Sequence, residues 1–321
     1  MTRLETQPHR VATGRPRLRR TIGQHGWPFL LVTPVVVMLV ALLYLPILDA
    51  ARLSLTDTSL LRPGSRSIGL DNYQRIATSS EFWGIAGQTV LWAITTVAGA
   101  AVLGVLAAVL LTSARRGRPL RGKAIWGGLL LIPFVAPPVV SAYVWNYLYS
   151  GSGPFNGILA AFGVVNPVYF LGDTSTHFWG ISLPMLSLIQ VGIWSGFPFF
   201  FLMTAAALTS VPVELYEAAA IDGAGGWRAF RAISLPLIAP VIEVTIFLEL
   251  LFRLGGLDLP FLLTGGGPLG ATNVWGVFIY QAGFARFEIG YGAALGIVLF
   301  LLCVPFSVWY VRRSRRQLAG L

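Results

Sequence analysis

Apolar residues occupy six long stretches of the chain, and more polar connections separate them. A helix that crosses the hydrocarbon core of a bilayer needs about 20 mostly apolar residues, because its backbone groups find no water to bond there. Each of the six stretches meets this requirement. The pattern therefore predicts six transmembrane helices, at about 27–48, 88–112, 124–149, 178–208, 237–263 and 290–311.

Proline interrupts several of the predicted spans. The third contains Pro133, Pro137 and Pro138, which remove backbone donors and favour a bend. Bends are tolerated inside a membrane bundle, where neighbouring helices satisfy the freed carbonyl groups. We expect further kinks at Pro184, Pro198, Pro240 and Pro260.

The composition indicates a membrane protein as well. Hydrophobic residues make up 55% of the chain and charged residues 11%, and the mean hydropathy is +0.71. Such a composition excludes an ordinary soluble globule. The net charge of +10 does not indicate nucleic acid binding, because the basic residues lie at the ends of the predicted spans and not on one folded face.

The distribution of basic residues predicts the orientation of the helices. The N-terminal tail, the connections at 113–123 and 209–236, and the C-terminal tail hold most of the Lys and Arg residues. Short cytoplasmic flanks retain such residues. We therefore predict that both termini are cytoplasmic, with a flexible basic tail at 1–24, a transmembrane domain at 25–311 and a second basic tail at 312–321.

Few residues of the chain favour catalysis. His9, His25 and His177 lie far apart in the sequence, so no metal cluster or histidine-activated nucleophile is predicted. The stretch Gly117–Lys123 has the spacing of a phosphate-binding loop, but Ala124 stands where Ser or Thr would hold Mg²⁺, and a predicted membrane helix precedes it instead of a strand. We expect no cofactor in this chain and no enzymatic activity of its own.

The segment between the fourth and fifth spans is the most informative one. It reads Glu-Ala-Ala at 217–219, then Gly223, Ile233 and Leu235-Pro236. This arrangement resembles the EAA loop of permease subunits in ATP-driven, binding-protein-dependent importers, and it matches the family pattern at every fixed position. The flanking residues resemble the carbohydrate-importer branch at Leu208–Pro212, Glu214–Tyr216, Ile221–Ala224, Trp227 and Phe230.

The resemblance implies an all-α membrane protein with the type I ABC importer permease fold, in a bacterial-type inner membrane. It implies a permease subunit for a sugar or a related polyol or glycerol-phosphate solute, without identifying that solute. The implied partners are a second permease subunit, two ATPase subunits or domains that carry ATP and Mg²⁺, an extracytoplasmic solute-binding protein and membrane lipid.

In the family, the EAA loop docks in a cleft of the ATPase and moves when the ATPase dimer closes on ATP. By resemblance, this loop occupies residues 210–236 here. A helix-turn-helix that only stabilises its own subunit is the alternative. The residues to which the resemblance assigns ATPase coupling are Glu217, Ala218, Ala219, Asp222, Gly223, Ile233, Leu235 and Pro236.

The local sequence predicts two helices in the loop. Pro212 and Glu214 suit the first turn of a short helix, and Gly223 permits a sharp turn at its end. A second helix would carry Trp227, and Leu235-Pro236 would end it before the fifth span. We therefore expect a compact helical projection between two membrane helices.

Four charged residues lie in the fifth predicted span: Glu243, Glu249, Arg253 and Asp258. A charge near the bilayer centre costs about 2.5–3.5 kcal/mol or more, so these residues should face the bundle or water. Glu249 and Arg253 share a helical face and can neutralise each other. Contact with the solute is the alternative role for this pair and for Asp258. Trp194 is a candidate for stacking on a sugar, with helix packing as its alternative.

Two predicted outer connections extend the resemblance. Gly69–Tyr73 and Thr264–Pro268 are similar to segments of sugar permeases, although simple turns also explain them. The usual Phe-Asp pair reads Leu257-Asp258 here, and Pro260 follows where a helical residue is expected. We expect the solute path to have a different local shape at this point.

Two other classes of function stay open. An ion-coupled secondary transporter would use the buried carboxylates as ion sites, and it predicts transport by the chain alone under an ion gradient. A non-transporting membrane scaffold predicts neither a cavity nor an ATPase partner. Neither class explains the spaced EAA pattern.

Overall fold

The computed structural model describes residues 21–113 and 122–319, with side chains described for 31–112 and 122–314. Most of the predicted tail at 1–24 and most of the stretch that resembles a phosphate-binding loop lie outside these residues. The predicted tail at 312–321 continues the last helix as far as Ala319. The chain divides after Asp49 into two compact units, and the sites below all belong to the second.

Helices form nearly all of the regular structure in the described residues. A two-stranded hairpin joins β1 (His177–Phe178) to β2 (Ile181–Ser182) in antiparallel register. The helices are α1 (Thr21–Leu53), α2 (Asp71–Thr78), α3 (Ser80–Ser113), α4 (Lys123–Val135), α5 (Pro138–Tyr149), α6 (Pro154–Ala161), α7 (Leu183–Thr209), α8 (Val213–Ile221), α9 (Gly226–Ala229), α10 (Leu235–Gly255), α11 (Asp258–Thr264), α12 (Trp275–Tyr280) and α13 (Ile289–Ala319), with π-helical turns at Phe230–Ser234 and Gln281–Ala285.

The predicted all-α membrane fold is confirmed. Among the described residues, five helices are long and apolar enough to cross a bilayer, and a bent pair supplies the sixth span when it is counted as one. The five spans are Leu31–Leu53, Ser80–Thr112, Leu183–Thr209, Gly226–Gly255 and Ile289–Ser314.

The third predicted span is broken at its prolines. The segments Lys123–Val135 and Pro138–Ala161 meet at 98°. Ala136 and Pro137 have extended backbones with ψ of 125° and 139°. A residue before proline is driven out of the helical region by the following ring, and two successive prolines therefore end one helix and begin the next.

Several predicted span boundaries are wrong, and the local backbone explains two of them. The fourth span does not begin at 178, because Trp179 and Gly180 both have positive φ and form the two-residue turn of the β1–β2 hairpin. The fifth span does not reach 263. Helix α10 ends at Gly255, Gly256 is extended, and Asp258 begins the separate helix α11. Two glycines in succession favour this break.

The most extensive contact between helices in the described residues joins α3 to α7. Trp92 and Val97 on α3 pack with Leu188, Val191 and Phe200 on α7, all of them buried. Small residues let the two backbones approach, as is common between membrane helices. A Cβ placed at Gly104 of α3 would clash with Phe200 and lie 2.5 Å from the Phe197 carbonyl oxygen.

Gly104→Ala is therefore expected to destabilise the bundle by about 1–3 kcal/mol, the usual cost of overpacking a close contact. The measurement is thermal stability of the purified chain in detergent, with abundance in the membrane as a second readout. Gly87→Ala is the matched control, because it lies on the same helix with no atom within 4 Å of its added Cβ. Equal stability of the two variants would contradict the close packing.

The Gly69–Tyr73 segment is more than a simple turn. The side-chain amide of Asn72 is buried and donates to the carbonyl oxygens of Ser54 and Thr56, each at 2.9 Å. The Tyr73 hydroxyl lies 2.6 Å from the Ser54 hydroxyl. These bonds hold the start of α2 against the residues that follow α1.

Candidate functional site

The loop at 210–236 begins with a short exposed helix. Helix α8 follows Pro212, has Glu214 in its first turn and contains no buried residue. Its end is a Schellman motif, in which Gly223 N–H donates to the Ala220 carbonyl at 3.1 Å and Ala224 N–H donates to the Ala219 carbonyl at 2.8 Å. Gly223 has φ +72°. The turn therefore requires the left-handed backbone that glycine adopts without strain.

The second helix of the loop does not end at Leu235-Pro236, contrary to the prediction. It runs from Gly226 through α9, a π-helical turn and α10 as one span to Gly255. Leu235 N–H donates to the Phe230 carbonyl, five residues back. This wider turn makes room for the ring of Pro236, which would clash with a carbonyl in a regular α-helix. The loop is thus directly continuous with α10.

A hydrogen bond that the sequence did not reveal joins the two arms of the loop. The Tyr216 hydroxyl on α8 lies 2.8 Å from the Ser234 hydroxyl in the π-helical turn. Ser234 is buried. Neither residue belongs to the fixed positions of the EAA pattern, and their separation of 18 residues gives no local signal in the sequence.

The outer surface of the loop is available for contact. Ile221 and Trp227 are 87% and 73% exposed. These two large apolar side chains therefore lie uncovered near the turn of the loop. The candidate coupling residues all line the two arms and the turn: Glu217, Ala218, Asp222, Gly223, Leu235 and Pro236 are exposed, and Ala219 and Ile233 are half-buried.

A second candidate site lies inside the bundle. Arg253 Nε donates to Glu249 Oε2 at 3.1 Å, and the two side chains are only 13% and 11% exposed. Arg253 Nη2 also reaches α7, where it lies 3.3 Å from both the Gly192 carbonyl oxygen and the Ser195 hydroxyl. The guanidinium is further placed 5.7 Å from the ring centre of Trp92 on α3. The ion pair therefore connects α10 to both helices of the α3–α7 contact.

Small residues on α7 make room for this pair. A Cβ at Gly196 would lie 2.8 Å from Arg253 Nη2 and 3.7 Å from Glu249 Oε1. The spacing of Glu249 and Arg253 predicts the pair but not its partners on α7. The signal that could have indicated them is the presence of the small residues Gly192, Ser195 and Gly196 close together within a span.

In the part of the chain that the structure describes, the hydrogen bonds of the Glu249–Arg253 pair do not include the other candidates. Asp258 is exposed in the first turn of α11, beyond the end of α10. Trp194 is half-buried and packs edge-on against Trp145, with ring centres 5.4 Å apart. Glu243 faces Arg313 of α13 at 3.9 Å, and their side chains are partly exposed.

The sequence profile of the family described as "Binding-protein-dependent transport system inner membrane component" matches residues 100–318. That match covers more than half of the chain, including both candidate sites. The chain belongs to this family. The resemblance predicted from the EAA pattern is confirmed, and the permease is an inner membrane component of a binding-protein-dependent transport system.

Curated relatives of this permease extend over nearly its full length. It is 32% identical over 288 residues to the "Trehalose/maltose transport system permease protein MalF" of Thermococcus litoralis, which covers 89% of this chain and 93% of the relative. It is 30% identical over 296 residues to the "Diacetylchitobiose uptake system permease protein DasB" of Streptomyces coelicolor. That match covers 90% of this chain and 87% of the relative.

A solved structure shows the same fold. A chain of a bacterial alginate ABC transporter, crystallised in complex with an alginate pentasaccharide-bound periplasmic protein, superposes with a TM-score of 0.79. The two chains are 22% identical, and the match covers 94% of this permease and 98% of that chain. The fold of the permease is therefore that of an ABC importer subunit. The roles of the individual loop and ion-pair residues stay predictions.

Proposed function

We propose that this permease is one subunit of an ATP-driven importer for a sugar or a related polyol or glycerol-phosphate solute. It would pair with a second permease subunit, bind two ATPase subunits or domains through its 210–236 loop, and receive solute from an extracytoplasmic binding protein. ATP and Mg²⁺ would be held by the ATPases. The names of the relatives, for trehalose and maltose and for diacetylchitobiose, support the sugar class.

The observation that carries this proposal is the continuity between the loop and the inner ion pair. The loop connects α7 directly to α10, and Arg253 of α10 bonds Gly192 and Ser195 of α7. A force on the exposed loop would therefore act on the two helices that hold the pair between them. Closure of the ATPases on ATP would push the loop, shift α7 against α10 and reorient the path outward, and hydrolysis would reset it.

Transport measurements test the function. Deletion of the gene should abolish high-affinity uptake of the solute, and expression of the intact chain should restore it; trehalose, maltose and diacetylchitobiose are the first solutes to assay. Uptake should persist when proton and sodium gradients are collapsed and stop when ATP is depleted. Dependence on an ion gradient without ATP would favour the secondary transporter, which the family membership does not favour.

The cytoplasmic location of the loop is tested by cysteine labelling after Cys303→Ala. Ser65→Cys and Val165→Cys place thiols at exposed positions in two predicted outer connections, and Ser210→Cys places one at the exposed first residue of the loop. A membrane-impermeant maleimide applied to intact cells should label the first two, because the basic flanks predict an outer location for them. Ser210→Cys should react only after permeabilisation. Labelling of Ser210→Cys in intact cells would contradict the predicted cytoplasmic location of the loop.

A further inference from the structure

An open cavity of about 430 Å³ lies at the end of α5, and neither Glu249 nor Arg253 lines it. Its walls come from the end of α5, the segment 169–172 and the turn that follows α11. Its volume falls in the range of about 300–1,000 Å³ that is typical of small-molecule sites. A second cavity, beside the β1–β2 hairpin, is smaller at about 260 Å³.

The lining of the larger cavity has polar groups without formal charge. Asn146, Tyr149 and Tyr169 supply an amide, a phenol and an aromatic face, and Ser150 and Thr264 supply hydroxyls. The remaining lining residues are Gly, Leu and Pro. Amides and hydroxyls bond the hydroxyls of a sugar, and aromatic faces pack against its apolar ring faces. A charged ligand would find no ionised partner among these lining residues.

The walls of the cavity are held in place by buried hydrogen bonds. On one side the buried amide of Asn156 donates to the carbonyls of Ser150 and Val168, each at 3.0 Å, and accepts from Val168 N–H at 2.7 Å. On the other side the Thr272 hydroxyl lies 2.7 Å from that of Thr264 and donates to the Gly267 carbonyl at 2.6 Å. A preformed wall lowers the ordering cost of binding.

Polar and aromatic side chains continue from this cavity toward the ion pair. The Tyr149 hydroxyl donates to Gln190 Oε1 at 3.0 Å, and Gln190 is exposed although it lies within the α7 span. Trp145 packs against Tyr149 on one side and Trp194 on the other, with ring centres 5.4 Å apart in both cases. An exposed amide in a span is costly in lipid, so Gln190 should face a polar path.

We propose that this cavity is an outer solute-binding subsite selective for neutral saccharides, separate from the Glu249–Arg253 pair. The inference rests on the proposed function for its solute class. The ring of Tyr169, which is 63% exposed, stacks on the sugar, and Asn146 bonds its hydroxyls. The solute then passes along Tyr149, Gln190 and Trp194 toward the centre of the bundle.

Solute protection of a cysteine tests the subsite. The probe is Ser150→Cys in the lining, made in the full-length Cys303→Ala chain and measured in unsealed membranes that contain the assembled transporter, so that orientation does not matter. Maltose, trehalose and diacetylchitobiose are the ligands, and digalacturonic acid is the charged counterpart of similar size. We expect a transported neutral disaccharide to slow maleimide labelling at least about fivefold near saturation, whereas digalacturonic acid does not.

Matched variants test whether protection depends on the lining of the cavity. Tyr169→Leu should abolish protection, whereas Tyr147→Leu, which removes a similarly exposed ring outside the cavity lining, should retain it. Protection should persist when Glu249→Gln and Arg253→Gln are combined, because the two sites are separate.

The outcomes distinguish the subsite from the proposed function. If none of the three neutral sugars is taken up, the subsite for neutral saccharides fails, whereas the importer function is judged separately by ATP-driven uptake of another solute. If one is taken up but does not protect Ser150→Cys, or protects it equally after Tyr169→Leu, the importer function stands and the subsite is overturned. Equal protection by digalacturonic acid would overturn the selectivity for neutral saccharides.

Discussion

Gly223→Leu is expected to reduce solute uptake and solute-stimulated ATP hydrolysis about tenfold while leaving the permease in the membrane. Gly223 occupies the left-handed region at φ +72°. This conformation costs a residue with a Cβ about 1–2 kcal/mol of conformational free energy. No atom lies within 4 Å of an added Cβ, so the expected cause is the backbone of the turn and not a clash within this chain. The measurements are uptake by whole cells and hydrolysis by the purified transporter.

Gly223→Asn is the matched control. Asparagine is close to leucine in size but tolerates the left-handed backbone far better. Most of the activity should return with Asn if the conformation of the turn matters, and both variants should fail alike if bulk at the ATPase joint matters. Normal uptake and normal stimulated hydrolysis in Gly223→Leu would contradict a coupling role for this loop.

Removing one member of the Glu249–Arg253 pair should damage the permease more than removing both. A buried charge that loses its partner typically costs about 3–5 kcal/mol, whereas loss of the whole pair is often nearly neutral. Glu249→Gln and Arg253→Gln are each expected to lower abundance and thermal stability strongly, and the double variant should recover much of the loss. Stability in detergent, membrane abundance and uptake are measured for each variant as a double-mutant cycle.

The Glu243–Arg313 contact provides the control cycle. It is longer at 3.9 Å and its side chains are 37% and 52% exposed, so its coupling should stay below about 1 kcal/mol. Gly196→Ala offers an independent probe, because its methyl group would meet Arg253 Nη2 and should displace the guanidinium. Simple additivity of the Glu249 and Arg253 effects would refute the coupling. Normal abundance with a changed affinity for solute would indicate that the pair contacts the solute.

Proline and glycine positions predicted some of the helix ends in this permease and not others. The break at Pro137-Pro138 was predicted, because a proline restricts both itself and the residue before it. The end of α10 at Gly255 was not predicted, since the hydrophobic pattern runs on without a gap into α11. At Pro236 the local rule predicted an end to the helix, but the π-helical turn accommodates the ring and the helix continues.

In the candidate sites, contacts within one helix were predicted and contacts between helices were not. The spacing of Glu249 and Arg253 predicted their contact, because residues four apart on a helix face the same way. The bonds that Arg253 donates to Gly192 and Ser195 connect residues about 60 positions apart, and the Tyr216–Ser234 bond joins two helices across the loop. Such contacts depend on how separate helices pack, for which a local pattern carries no information.

By itself, the sequence determined the membrane environment, the family and the positions of the loop and the charged span. Those features follow from composition, from hydrophobic periodicity and from the resemblance of a spaced motif to a known family, none of which depends on how distant segments pack. Only the tertiary structure decided that the loop is one body with α10, that the ion pair connects α10 to α7, and that polar groups from α5, α11 and the 169–172 segment line one open cavity. Those features depend on which surfaces meet, and packing between distant segments fixes that.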